Sequence, residues 1–179
     1  MIQIKWENRL IDYSRERCTV SVDGTDFRIL EPRPFNKCWF SHKFKGPGVR
    51  YEVAVSIKEG WIVWVRGPFA CGKWPDICIV MQDNVGLEHQ LLPGEYYVAD
   101  NGYNSAFSLA VTPRNVAPED KPMHQRIRGR HESCNKRFKQ WRILSNPFRP
   151  NVEKHFMVFK MVANITQLIL QHEEPLFEL

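Results

Sequence analysis

The sequence predicts one α/β domain, and three observations carry that reading. Cys18-Thr-Val-Ser-Val-Asp23 alternates and is rich in β-branched residues, the signature of a strand. Tyr51–Ile57 and Trp61–Arg66 are two further strand-like runs joined through Lys58-Glu59-Gly60, a short connection that signals a hairpin. Two long proline-free stretches, Met123–Leu144 and Val152–Gln171, read as helices. The chain has 179 residues, 43% of them hydrophobic, which suits a single buried core.

In order, residues 1–16 form a polar lead-in that is consistent with the remnant of a missing N-terminal region, and residues 17–179 form the domain proper. Gly24–Leu30 follows as a candidate continuation of the first strand, which is otherwise expected to end at Asp23. Residues 31–50 carry Pro32, Pro34 and Pro47 with Gly46 and Gly48, so they read as a loop. After the breaks at Gly67-Pro68 and Cys71-Gly72, Pro75 opens a helix expected to run to about Gln90. Glu95–Asp100 and Ala106–Thr112 read as strands, separated by the turn residues Asn101-Gly102. Residues 114–122, with Pro118 and Pro122, read as an exposed linker. Asn151 is a candidate N-cap for the last helix, which is apolar nearly all round and is expected to dock on the core.

Composition narrows the function. The net charge is +5, yet residues 121–149 alone hold nine Lys or Arg against one acid, Glu132, so the rest of the chain is net acidic. A basic segment on an acidic body points to a polyanion, nucleic acid first. No window is apolar enough for a membrane span, and the first residues lack the apolar core of a secretory signal. Five widely spaced cysteines fit reduced thiols in a nuclear or cytoplasmic protein better than a disulfide framework.

Three acids stand where chemistry would need them. Asp23 falls at the expected end of the first strand, Asp100 at the end of a later one, and Glu132 is isolated among cations. Converging carboxylates repel and raise one another's pKa unless cations neutralise them. Two Mg²⁺ or Mn²⁺ ions would do so and would activate water against a phosphodiester. The plainer readings are turn formation for each Asp, and i,i+4 pairing of Glu132 with Arg128 and Lys136. Strand alternation places Asp26 on the face opposite Asp23. Asp76, after Pro75, reads as a helix N-terminal acid with an accessory role as the alternative. His131 reads as a surface or DNA-contacting residue.

Val22-Asp23-Gly24-Thr25-Asp26-Phe27, Val98-Ala99-Asp100-Asn101-Gly102-Tyr103 and Arg130-His131-Glu132-Ser133-Cys134-Asn135-Lys136-Arg137-Phe138-Lys139 resemble three blocks of the DDE superfamily endonucleases. The nearest type is the Harbinger/PIF-like transposase nuclease domain, with its DGT, D-x-GY and E-x-x-N-x-R-x-K blocks. Gly72-Lys-Trp-Pro-Asp76 resembles a further block, and Glu174-Pro-Leu-Phe177 resembles the family's chain end. The resemblance implies an RNase H-like mixed sheet, three antiparallel strands then two more, flanked by helices. It implies that Asp23, Asp100 and Glu132 bind the metal ions and cut DNA.

The cations Arg126, Arg128, Arg130, Lys136, Arg137, Lys139 and Arg142 are the expected phosphate contacts. The short lead-in implies that sequence recognition comes from a separate or missing region, and a homo-oligomer is compatible with the sequence. Two other readings stay open at this stage: a binding module that keeps the fold but no longer cuts, and a ribonuclease of the RNase H type.

Overall fold

A computed structural model of the chain describes residues 4–10, 17–34 and 36–179. Among these residues six strands form one mixed sheet: β1 (Cys18–Arg28), β2 (Phe40–Ser41), β3 (Gly46–Ser56), β4 (Ile62–Ala70), β5 (Tyr96–Val98) and β6 (Ala110–Val111). Among the described residues four α-helices accompany it: α1 (Asp76–Val80), α2 (Lys121–Gln140), α3 (Arg142–Ser145) and α4 (Val152–His172). β1 pairs antiparallel with β3, which pairs antiparallel with β4. On its other side β1 pairs parallel with β5, and β5 parallel with β6. The expected α/β class and its three antiparallel strands followed by two further strands are observed, with β2 as a short addition on β3.

Alternation along β1 sorts the core into two layers. Phe27, Tyr51, Val53 and Val55 join Cys134 and Phe138 of α2 and Phe159 and Leu170 of α4 in the larger cluster. Val20, Val22 and Ala54 face the other way, against Val80, Leu87 and Tyr97. Asp23 stands opposite Val53 and Asp26 opposite Arg50, so the two acids point to opposite faces.

Several elements depart from the sequence reading. Asp23 lies within an eleven-residue strand, not at its end. The expected loop 31–50 gives way to β3 at Gly46, because Pro47 sits at the start of the strand, where its missing N–H costs little. β4 runs through Gly67-Pro68 by a bulge opposite Tyr51, tolerated because β4 pairs on one side only. The helix expected to reach Gln90 stops at Val80: Asn84 takes a left-handed φ of 60°, and the chain folds back so tightly that a Cβ on Gly86 would lie 2.3 Å from the Val80 carbonyl. Only Ala110 and Val111 of the expected strand 106–112 pair. The linker ends at Asp120, and α2 opens at Lys121 with Pro122 in its first turn.

The long basic helix breaks at Trp141, whose backbone is extended and whose ring packs on the larger core. Asn151 caps α4 as expected, its side chain accepting from the Lys154 N–H at 2.9 Å. α4 buries one face only; Met157 and Met161 are exposed. In the lead-in, Trp6–Leu10 is a 3-10 turn docked on the sheet. Arg9 there is buried and donates to Glu95 at 2.7 and 3.0 Å. The remaining lead-in positions, 1–3 and 11–16, lie outside the described residues.

Candidate active site

The parallel pairing of β1 with β5 ends at Ser21 and Val98. Asp23 and Asp100 each follow two residues later, so the register that joins the strands also delivers both acids to the point where they part. Asp100 caps a 3-10 turn at Asn101–Tyr103, its Oδ1 accepting the Gly102 N–H at 2.7 Å. A Cβ on Gly102 would lie 2.9 Å from that oxygen, which accounts for glycine there.

α2 crosses above. Arg128, Glu132, Asn135 and Lys139 recur at helical spacing, one face of the helix. A cleft of about 160 Å³ is lined by Asp23, Asp100, Glu132, Arg128, His131, Lys43 and the Ser21, Val22 and Val98 strand residues. The three acids singled out from the sequence thus share one cleft. Among the described residues, however, no three His, Cys, Asp or Glu side chains stand close enough together to hold one ion.

The chemistry of the donors fits a hard divalent cation: the facing groups are carboxylates. Burial pushes the Asp23 carboxyl above its ordinary range, the Lys43 and Arg128 charges hold it back, and the neighbouring Asp100 charge adds to the rise. A cation between the two acids relieves that conflict. Asn135 Nδ2 donates to Asp23 Oδ2 at 2.8 Å and fixes one edge of the carboxylate.

The remaining expected residues divide. Asp76 does not line the cleft. It lies across β1, where a Cβ on Gly24 would meet its Oδ1 at 2.1 Å, and it pairs with Arg50 at 3.1 Å. Arg130 is not a surface cation: it is 3% exposed and donates to the carbonyls of Ser56 and Ile57 at the β3–β4 turn. His131 is likewise buried at 2% exposure, with Nδ1 2.8 Å from Ser21 Oγ, and burial lowers its pKa to about 4. Ile127, His131, Cys134 and Phe138 form the buried stripe of α2, and Arg130 lies beside it. That 3.6-residue period marks both as inward-facing.

Arg126 and Arg137 are engaged elsewhere, with the Glu178 carbonyl and with Glu174. Lys136, Lys139 and Arg142 are exposed. Asn135, which holds Asp23, and Lys43, which lines the cleft, carried no assignment from the sequence. Asn135 stands three residues past Glu132, a spacing that places it on the same helix face. Lys43 sits in the turn after β2, where no periodicity could point to it.

A family model described as DDE superfamily endonuclease matches residues 22–167, a span that includes Asp23, Asp100 and Glu132. No curated protein and no solved structure matches the chain.

Proposed function

The chain belongs to the DDE superfamily endonucleases, and on that premise we propose that it is a divalent-metal-dependent DNA endonuclease of the Harbinger-like transposase type or a domesticated derivative. The observation that carries the reading is the shared cleft of Asp23, Asp100 and Glu132. In this reading the three carboxylates hold one or two Mg²⁺ or Mn²⁺ ions. When bound, such ions lower the pKa of a water and screen the phosphate charge, which is the chemistry a two-metal site supplies.

The chain's own groups do the rest. Asn135 holds Asp23 in one rotamer, and the Gly102 N–H does the same for Asp100. Glu132, on the exposed face of α2, supplies the third carboxylate from the opposite wall. Arg128, one turn before Glu132, offers a cation to the DNA backbone at the cleft wall, with Lys136 and Lys139 along the same helix.

The test is cleavage of duplex DNA with Mg²⁺ or Mn²⁺ by the chain and by its Asp23→Asn, Asp100→Asn and Glu132→Gln variants. Loss of cleavage in each folded variant is the expected result. A parent chain that binds DNA but never cuts it identifies a silent binding module instead.

A further inference from the structure

We propose that Lys43 is a catalytic cation of this cleft, its ammonium leaving the Gly24 carbonyl to bind a non-bridging oxygen of the phosphate that is cut. The proposal rests on the nuclease reading for the cut; the phosphate contact itself does not depend on it.

Lys43 lies in the turn between β2 and β3, remote in sequence from all three acids, yet it lines the cleft with them. Its Nζ donates to the Gly24 carbonyl at 2.6 Å, one residue from Asp23. A lysine on an exposed turn ordinarily leaves its strongly hydrated ammonium in water. Here the turn is fixed from beneath. Ser41 Oγ accepts the Lys43 backbone N–H at 3.2 Å and donates to Asp26 Oδ2 at 2.6 Å. Asp26 is in turn gripped by Arg50 through Nε at 2.7 Å and Nη2 at 3.1 Å. Both partners of that pair are nearly fully buried. The relay from Arg50 through Asp26 and Ser41 therefore reaches from one face of the sheet to a cation at the site on the other.

The electrostatics agree with the geometry. Asp23 and Asp26 both feel the Lys43 charge. A phosphodiester entering between carboxylates meets repulsion from every acid not neutralised by an ion, so a fixed cation at the entry lowers that barrier. The carbonyl that Lys43 now holds is neutral. Exchanging it for a phosphate oxygen keeps the charged donor and adds a charged acceptor, so the ammonium gains an ion pair where it had only a carbonyl dipole. In the reaction, the water oxygen bonds to phosphorus and one ester P–O bond breaks. The proton lost by the water ends on the departing oxygen. Lys43 keeps its protons and opposes the charge that builds on the equatorial oxygens.

The experiment uses the full chain with Lys43→Met and Lys43→Arg, whose thermal unfolding first confirms the fold. Binding to a 30-base-pair duplex is followed against salt with Ca²⁺ present, and cleavage is followed with Mg²⁺ or Mn²⁺ at saturating duplex. One phosphate contact contributes about 0.9 to the slope of log K on log[salt]. Lys43→Met is expected to lose about that much slope and at least a hundredfold in cleavage rate, whereas Lys43→Arg keeps the slope and stays within about tenfold of the parent rate. A parent chain that fails to cut, with the slope still reduced in Lys43→Met, removes the nuclease reading and leaves the phosphate contact standing. An unchanged slope in Lys43→Met overturns the proposal, whatever happens to the rate.

Discussion

Asn135 Nδ2 and Asp23 Oδ2 meet at 2.8 Å across 112 residues of sequence, joining the C-terminal half of α2 to the middle of β1. The bond does more than tie two elements. Asp23 is a carboxylate that burial disfavours, and a neutral amide donor orients it without cancelling the charge a cation would need. Asn135 is itself 7% exposed, with its Oδ1 buried and without a hydrogen-bond partner among the described residues, so the amide serves this one contact there.

Asn135→Ala is therefore expected to slow single-turnover cleavage by about 10- to 100-fold, the usual range for removing a group that orients a metal ligand. Asn135→Asp should be slower still, because it sets a second carboxylate against Asp23. A parent-like rate in Asn135→Ala would show that the carboxylate needs no such support.

Asp23→Asn separates the metal role from the fold. Without divalent ions the variant should melt at the parent temperature or slightly above it, since it removes a charge that burial penalises. Adding Mg²⁺ at about 100 times its Kd should stabilise the parent by about 2.7 kcal/mol and the variant by much less. Equal stabilisation of the two by calorimetry would move the ion away from Asp23.

How far the sequence was readable follows from where periodicity operates. The β1 alternation separated Asp23 from Asp26 correctly, and the Arg50–Asp26 pair on the opposite face is its consequence. The parallel register that brings Asp100 beside Asp23 depends on β5, only three residues long, and no local pattern encodes a pairing partner. α1 was overextended because its apolar residues continue past Met81, whereas Asn84 and Gly86 set the backbone that ends it. At Arg130 charge and position conflict, and position wins: it lies beside Ile127, Cys134 and Phe138 on the inward side of α2. Lys43 was out of reach, since its placement comes from a tertiary relay through Ser41 and Asp26.

Arg128 and Arg130 should accordingly separate in two assays. Arg130→Ala is expected to cost about 2–4 kcal/mol of stability, because the Ile57 carbonyl loses its donor, the Ser56 carbonyl keeps only the Gly60 N–H, and a cavity opens. Arg128→Ala should leave urea unfolding nearly unchanged and flatten the salt dependence of duplex binding by about 0.9. The opposite pattern would return Arg130 to the DNA surface.

His155 provides a pH signal remote from the cleft. Its ring is 0% exposed, packed among Phe27, Tyr51 and Phe148, with Nδ1 2.9 Å from the Tyr51 hydroxyl and Nε2 buried without a partner among the described residues. Burial lowers its pKa to about 4, against 6.5 for an ordinary histidine. Between those values the unfolded chain binds a proton that the folded chain refuses, so this contribution is fully present above pH 6.5 and is lost as pH falls towards 4. At 1.36 kcal/mol per unit, the loss reaches about 3 kcal/mol. His155→Phe fits the aromatic nest and does not titrate, although it strands the Tyr51 hydroxyl and should cost stability at pH 7. Its disadvantage relative to the parent should shrink by up to about 3 kcal/mol between pH 7 and pH 4, and the contribution of Glu52, raised to about 7 by burial, cancels because both chains carry it. Urea unfolding at several pH values measures the difference directly, and parallel stability curves for the two chains would show that His155 protonates as readily folded as unfolded.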